Sequence, residues 1–386
     1  MARAGAAAHG VREEALLRPQ VPREGGESMK RIAFVRLRYL PPSETFIYGE
    51  LKRIRSVKPI VFARKRMNVK RFPYKPIRSL PTAKGRIVRV FRRRRIRLIH
   101  ARFGNAGVSL MGVKRRLRVP MLTSFHGFDL PTKRDRRKPY HRKLPILFRV
   151  GDKFTVPSRH MKRKLIRWGC PRHKIKIMYS GIDLQRFPYV EREPKTEGVT
   201  IVGVGRLHQK KGFRYLVKAF RRVLKSHPTS RLVIVGEGEE GRRLKRMIAK
   251  GIPRGQVRLK GHVPHDKLTE LLRKADIFCL PSITTKDGNQ EGIPNSIKEA
   301  MATGLPIVST KHGGIPELVG HGVEGFLVPE RNVKRLAERL TALIERPELR
   351  AEMGRNGREK VEQRFDAVKQ VERLEGIYDR LLRKGR

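Results

Sequence analysis

The sequence predicts an α/β protein of two facing, doubly wound, Rossmann-like domains. Its 386 residues allow two domains, each with its own core. In both halves, strand-like runs alternate with helical patterns, and in the second half they are β-rich and bounded by Gly or Pro, which implies parallel sheets with helices on both faces. Between the halves lies "PYVEREPKTEG" (188–198), polar, with two prolines and no apolar periodicity.

Residues 1–28 are Ala/Arg/Glu/Gly-rich and have no apolar core for a signal peptide. They are expected to be a disordered or non-native extension, with the folded unit beginning at Met29. The first domain is predicted over 29–187. Its strands are 31–36, 59–63, 98–103, 121–125, 153–157 and 174–179, with helical patterns such as 43–56 and 158–168. The linker is 188–198, and the second domain is predicted over 199–364. Its strands are 199–205, 231–236, 257–261, 276–281, 306–310 and 325–329, with helical patterns such as 214–224 and 266–275. Within the tail, 365–386, Val368, Val371, Leu374, Ile377, Tyr378 and Leu381 share one helical face. Ligands bind beyond the carboxyl ends of such strands, so the cleft between the domains is the expected site.

No apolar run approaches the ~18 residues of a transmembrane helix. Two cysteines, Cys170 and Cys279, form no metal-ligand cluster and suit a reducing compartment without disulfides. The formal net charge is +56, and most of it lies in one half. Residues 30–190 carry 46 Lys and Arg against six Asp and Glu, with runs such as "FRRRRIR" (91–97) and "KRDRRK" (133–138). Such a field attracts polyanions: nucleic acid, anionic lipid or phosphorylated substrates. The alternative is a solvated basic surface from an arginine-biased composition, although that bias would not by itself strip out the acids.

Chemistry concentrates in the second half. "EGIPNSIKEAMATGLP" (291–306) reads as a loop entering a helix, with Pro294 at the first helical position. The free N–H groups at this helix start, with the helix dipole, make an anion seat lined by Gly292, Ile293, Pro294 and Asn295. Glu291 and Glu299 flank it, and carboxylates accept hydrogen bonds from paired hydroxyls such as those of a ribose or hexose. Either could instead be an ordinary turn or helix-surface residue. "GRLHQKKG" (205–212) follows a strand and offers Arg206 and Lys211 beside glycines, which suits a diphosphate, although both could be plain surface cations. "GEGEEG" (236–241) has the spacing of a dinucleotide-binding turn, but its three glutamates would repel a pyrophosphate, so a tight strand-to-helix turn is the better reading. In the first half, His100 reads as structural. His126, at a strand's carboxyl end before Gly127, is a candidate for the cleft. No Ser-His-Asp arrangement, zinc spacing or Walker loop is present.

Taken together, Glu291-x7-Glu299, "GRL-x3-KG", "GIDLQRF" (181–187), "FHGFD" (125–129) and "GGIPELV" (313–319) resemble the family-4 glycosyltransferases of the GT-B fold over roughly residues 30–380. "PPSETFIYGEL" (41–51) and "HARFG" (100–104) further resemble the colanic-acid and exopolysaccharide branch. The resemblance implies transfer of a sugar from a nucleotide-diphosphate sugar to a glycan or lipid-linked acceptor, with retention at the anomeric carbon. Arg206 and Lys211 would hold the diphosphate and Glu299 the ribose. Glu291 would meet the donor sugar near the reacting centre, and His126 would reach it from the first domain. The last helix would cross back to the first domain. No cofactor is expected, and the absence of an Asp-x-Asp pair points to chemistry without a metal. One departure is the loop after the first strand, "RLRYLPPSETF", which lacks the glycines common in the family. The basic first domain suggests a cytoplasmic enzyme peripheral to the inner face of the cell membrane, docked on anionic lipid. The competing readings are a nucleotide-sugar epimerase of similar fold and a basic nucleic-acid-binding protein. Against the second, aromatics make up only 6% of the chain and no recognised nucleic-acid module occurs.

Overall fold

A computed structural model describes residues 29–41, 44–126 and 139–384. The expectations for residues 1–28 and for the run 133–138 fall outside the described residues. The first half runs β1 (Arg31–Val35), β2 (Arg38–Tyr39), α1 (Thr45–Arg53), β3 (Lys58–Ala63), β4 (Lys65–Arg66), β5 (Ile77–Ser79), α2 (Lys84–Arg93), β6 (Ile96–Arg102), α3 (Gly104–Leu117), β7 (Met121–Ser124), α4 (Pro139–Arg142), α5 (Leu144–Val150), β8 (Lys153–Val156), α6 (Arg159–Arg167) and β9 (Ile175–Ile177). The second half runs β10 (Thr200–Val204), α7 (Phe213–Val223), β11 (Arg231–Val235), α8 (Gly241–Ala249), β12 (Val257–Leu259), α9 (His265–Lys274), β13 (Ile277–Leu280), α10 (Asn295–Ala302), β14 (Ile307–Thr310), α11 (Ile315–Leu318), β15 (Gly325–Val328), α12 (Val333–Glu345), α13 (Pro347–Arg364) and α14 (Ala367–Lys384).

The two halves form separate parallel sheets. The first has the order β5-β3-β1-β6-β7-β8-β9 and the second β12-β11-β10-β13-β14-β15. Numbered within each half, both contain the doubly wound order 3-2-1-4-5-6, so each has a topological switch point beside its first strand. The central strands β7 and β13 are buried along their whole length, and β13, Ile-Phe-Cys-Leu, is apolar throughout, as a sheet covered on both faces favours. The strands expected from the sequence all form. The short β5, Ile-Arg-Ser, adds an edge that its polar composition did not signal.

Two crossings join the halves. Ile182 bridges Asp366, its N–H donating to the Phe365 carbonyl at 2.7 Å and its carbonyl accepting from the Ala367 N–H at 2.9 Å. A Cβ on Gly181 would lie 2.4 Å from the Ala367 Cα, so only glycine permits this contact. Beyond the crossing, α14 packs Val371, Leu374, Ile377 and Tyr378 into one core with Ile32, Phe34, Ile47 and Leu51 of the first half. Burial raises the thiols of Cys170, to about 12, and of Cys279, and both stay free.

Candidate active site

At the switch point of the second sheet, the chain leaves β10 and β13 side by side, and the segments that follow pack together. Gly212 takes a φ of +70°, and a Cβ there would lie 1.9 Å from the Pro281 carbonyl. The Ile283 N–H donates to the Lys210 carbonyl at 2.8 Å. The 3-10 turn Gln209–Lys211 therefore sits against the loop after β13, which carries Glu291. Gly236 and Gly238 of the "GEGEEG" turn approach the same segment. A Cβ on either would lie within 2.6 Å of the Gly205 or Leu207 carbonyl oxygen, so these glycines serve close packing.

The Glu291 carboxylate lies between two ammonium groups, Lys210 Nζ at 3.1 Å and Lys211 Nζ at 3.3 Å. Burial works to raise its pKa, but the two lysines override burial and hold it at about 2. Lys210 went unrecognised in the sequence; its signal was adjacency to Lys211 in one turn. The Glu291 N–H donates to His312 Nε2 at 2.9 Å, and His312 Nδ1 meets Glu330 Oε1 at 2.7 Å. Gly313, at φ +53°, and Gly314 back onto this loop: a Cβ would come within 2.2 Å of the Glu291 carbonyl oxygen or 2.8 Å of that of Gly292. The "GGIPEL" motif thus braces "EGIPN" from behind.

Pro294 is the residue before α10, extended at ψ 128°, and Asn295 is the first helical residue, one position later than the sequence reading. Proline's ring fixes φ, not ψ, so it serves the cap as well as the first turn. Ile297, Ala300 and Met301 are fully buried, while Glu299 lies at the rim of the same helix. Burial raises Glu299 to about 7 against the pull of Lys298, Arg186 and Lys211. Burial lowers Lys298 to about 7 against the pull of Glu299. Lys298 donates to the Ser180 carbonyl, so the helix carrying Glu299 is tied to the first crossing between the halves.

Arg206 is exposed and makes no ion pair or side-chain hydrogen bond among the described residues, so Lys211 reaches Glu291 and Arg206 does not. His126 lies at the carboxyl end of β7, its ring 4.8 Å from that of Phe103 and 5.2 Å from that of Phe46. Burial, then Arg102 and Arg36, push its pKa far down, leaving a neutral imidazole. The glycine-free loop after β1 is spanned by a two-point ion pair, Arg36 to Glu44 at 2.9 and 2.6 Å, with the guanidinium 4.0 Å over the Phe103 ring. His100 is structural: its ring nitrogens meet Tyr378 Oη at 2.6 Å and Ser124 Oγ at 2.7 Å.

The halves also touch beside the site. Glu317 accepts from the N–H groups of Arg159 at 2.7 Å and His160 at 2.9 Å. Gln290 Oε1 accepts from Lys164 Nζ at 2.7 Å and His160 Nε2 at 3.1 Å. Among the described residues, no group of three His, Cys, Asp or Glu could hold a metal ion, and no helix is long and apolar enough to cross a membrane.

Comparison with known proteins fits this arrangement. Residues 187–360 match the family "Glycosyl transferases group 1" and residues 47–186 match "Glycosyltransferase Family 4". The chain is 38% identical over 271 residues to the putative colanic acid biosynthesis glycosyltransferase WcaL of Escherichia coli K12, covering 69% of this chain and 66% of WcaL. It is 36% identical over 287 residues to the amylovoran biosynthesis glycosyltransferase AmsK of Erwinia amylovora, covering 74% of this chain and 70% of AmsK. The chain thus spans about two thirds of the length of these relatives. Among solved structures, Anabaena HepE in complex with UDP superposes with a TM-score of 0.76 at 20% identity, covering 91% of this chain and all of HepE. A glycosyltransferase from Rickettsia africae gives 0.77 at 19% identity, covering 92% and 99%. With two parallel doubly wound sheets and both family matches, the chain belongs to the family-4, group 1 glycosyltransferases of the GT-B fold and resembles their colanic acid and amylovoran branch.

Proposed function

We propose that the protein is a retaining glycosyltransferase of cell-surface polysaccharide biosynthesis, using a nucleotide-diphosphate sugar and needing neither cofactor nor metal. The observation that carries this reading is the ionised Glu291 between Lys210 and Lys211, at the switch point of the second sheet. HepE, a neighbour in fold, was solved in complex with UDP, WcaL is a putative colanic acid biosynthesis glycosyltransferase and AmsK an amylovoran biosynthesis glycosyltransferase. In this reading the leaving diphosphate takes its charge stabilisation from Lys211, Arg206 and the N–H groups of Gly292, Ile293 and Asn295, at the start of α10. Glu299 accepts from the ribose hydroxyls. Glu291 holds the transferred sugar near its anomeric carbon, and the neutral His126 exchanges a hydrogen bond with that sugar from the first domain.

Retention follows if the acceptor hydroxyl enters on the face the diphosphate leaves. The acceptor oxygen bonds to the anomeric carbon, the bond to the phosphate oxygen breaks, and a phosphate oxygen takes the acceptor's proton. No protein base is then required, which fits a Glu291 held too acidic, at about 2, to serve as one. The acceptor is a glycan or lipid-linked hydroxyl at a cytoplasmic membrane face. A thermal-shift panel of nucleotide sugars tests the donor site. At least one should stabilise the wild type, and Lys211→Ala should weaken its binding roughly ten- to a hundredfold, as loss of one charge-assisted bond predicts. A wild type that none of the panel stabilises would sink the reading.

A further inference from the structure

We propose that a hydrogen-bond relay runs from α6 of the first domain to the backbone of Glu291, with His312 as the positioning residue at its end. The proposal rests on the donor-site reading for its effect on turnover, but its geometry stands alone. Lys164 Nζ and His160 Nε2, both on α6, donate to Gln290 Oε1 at 2.7 and 3.1 Å. Gln290 Nε2 donates to Thr284 Oγ1 at 3.2 Å, and that hydroxyl donates to Glu330 Oε1 at 3.0 Å. The Thr284 N–H donates to the other Glu330 oxygen at 2.8 Å. His312 Nδ1 closes on Glu330 Oε1 at 2.7 Å, and its Nε2 accepts the Glu291 N–H at 2.9 Å.

Every donor in this chain meets an acceptor for one state of His312 only: neutral, with its proton on Nδ1. A second proton would set a donor against the Glu291 N–H. The groups facing the ring are Glu330, Glu291, Lys210 and, from the first domain, His160. The His312 side chain is fully buried, and burial holds its pKa below the ordinary value. The lysines fix the Glu291 carboxylate while the imidazole fixes its backbone, so the carboxylate is aimed from both ends. Because Gln290 is held by α6, the aim also depends on the two domains being together.

Two measurements test this. In protein without ligand, the Glu291 amide should exchange with solvent at least tenfold faster in both His312→Ala and Gln290→Ala. Unchanged exchange in either overturns the relay, whatever the donor turns out to be. In transfer assays, His312→Ala should lower kcat at least tenfold while shifting nucleoside diphosphate affinity less than threefold. His312→Gln, whose amide oxygen can replace Nε2 as acceptor, should recover part of the loss. The double variant His312→Ala/Glu291→Gln should be no slower than the slower single variant, because both act through one carboxylate. Losses that multiply, or a His312→Ala enzyme with wild-type kcat, overturn the positioning role. A wild type that binds no nucleotide sugar overturns the donor site instead and leaves the exchange test standing.

Discussion

Glu291 shows how one side chain can be expensive to bury and still hold the site together. Its carboxylate is 10% exposed and would resist ionisation, yet two ammonium groups within 3.3 Å reverse the balance. The resulting drop from 4.5 to about 2 corresponds to roughly 3 kcal/mol of native-state stabilisation. For a carboxyl with a depressed pKa, that contribution is complete above the unfolded value and disappears as pH falls through the folded one. Glu291→Gln should therefore cost roughly 3 kcal/mol in urea unfolding at pH 7, and the gap to wild type should close between about pH 4.5 and 2. A gap that stays constant across that range would show that the two lysines do not set the carboxyl's pKa. Gln also leaves Lys210 and Lys211 without the carboxylate they share, so the cost at neutral pH should not fall below this figure.

Among the elements, α6 shows best what sequence could and could not reveal. The helix itself was legible over 158–168, and its cap is local: Ser158 Oγ accepts the Met161 N–H at 3.0 Å. The two preceding N–H groups, of Arg159 and His160, are satisfied by Glu317 from the other half of the chain, some 157 positions away. No periodicity or spacing encodes that pairing. Glu317→Ala should accordingly cost about 1–2 kcal/mol, the range of a lost cap with a charged acceptor, and free the start of α6. Hydrogen exchange checks it: the Arg159 and His160 amides should speed up while those of β7 and β8 stay protected. The same division holds across the fold. Strand-like runs gave away most strands of both sheets, most clearly where burial on two faces leaves an uninterrupted hydrophobic signature, as in β13. The polar β5 escaped because an edge strand lacks that signature. In the site, Glu291, Glu299 and Lys211 stood out by spacing and by resemblance. Lys210 and His312 did not, since their roles arise only when the loops after β10, β13 and β14 converge.

At the scale of the whole molecule, the charge asymmetry becomes a surface. Within 30–190, the described acids Glu44, Glu50, Asp152 and Asp183 are each tied to one Arg or Lys, so they cancel only a few of its cations. Arg86, Arg89, Arg92 and Arg93 of α2 are exposed, and so are Arg115 and Arg116 near the end of the adjacent α3. A Lys or Arg near an anionic bilayer contributes about 1 kcal/mol, so four engaged side chains would supply roughly 4 kcal/mol, about a thousandfold in partitioning. Apolar insertion would be largely indifferent to salt, whereas this attraction fades as the Debye length falls from ~10 Å at 0.1 M to ~3 Å at 1 M. The protein should therefore cosediment with vesicles containing phosphatidylserine at low salt, release at about 0.5 M, and ignore pure phosphatidylcholine. Reversing Arg86, Arg89 and Arg93 to Glu should abolish cosedimentation while leaving nucleotide-sugar binding intact, because α2 packs on the first sheet, whereas Glu291 and Lys211 follow strands of the second. No binding to anionic vesicles at low salt would remove the membrane from the account and leave the transferase standing. DNA will compete for the same surface regardless of its sequence, as any chain of net charge +56 requires. Competition alone therefore says nothing about the natural partner. The deciding comparison is whether anionic vesicles raise the rate of transfer to a lipid-linked acceptor more than to its water-soluble analogue. A basic face that docks the enzyme beside its acceptor should do so, and one that is only a product of composition should not.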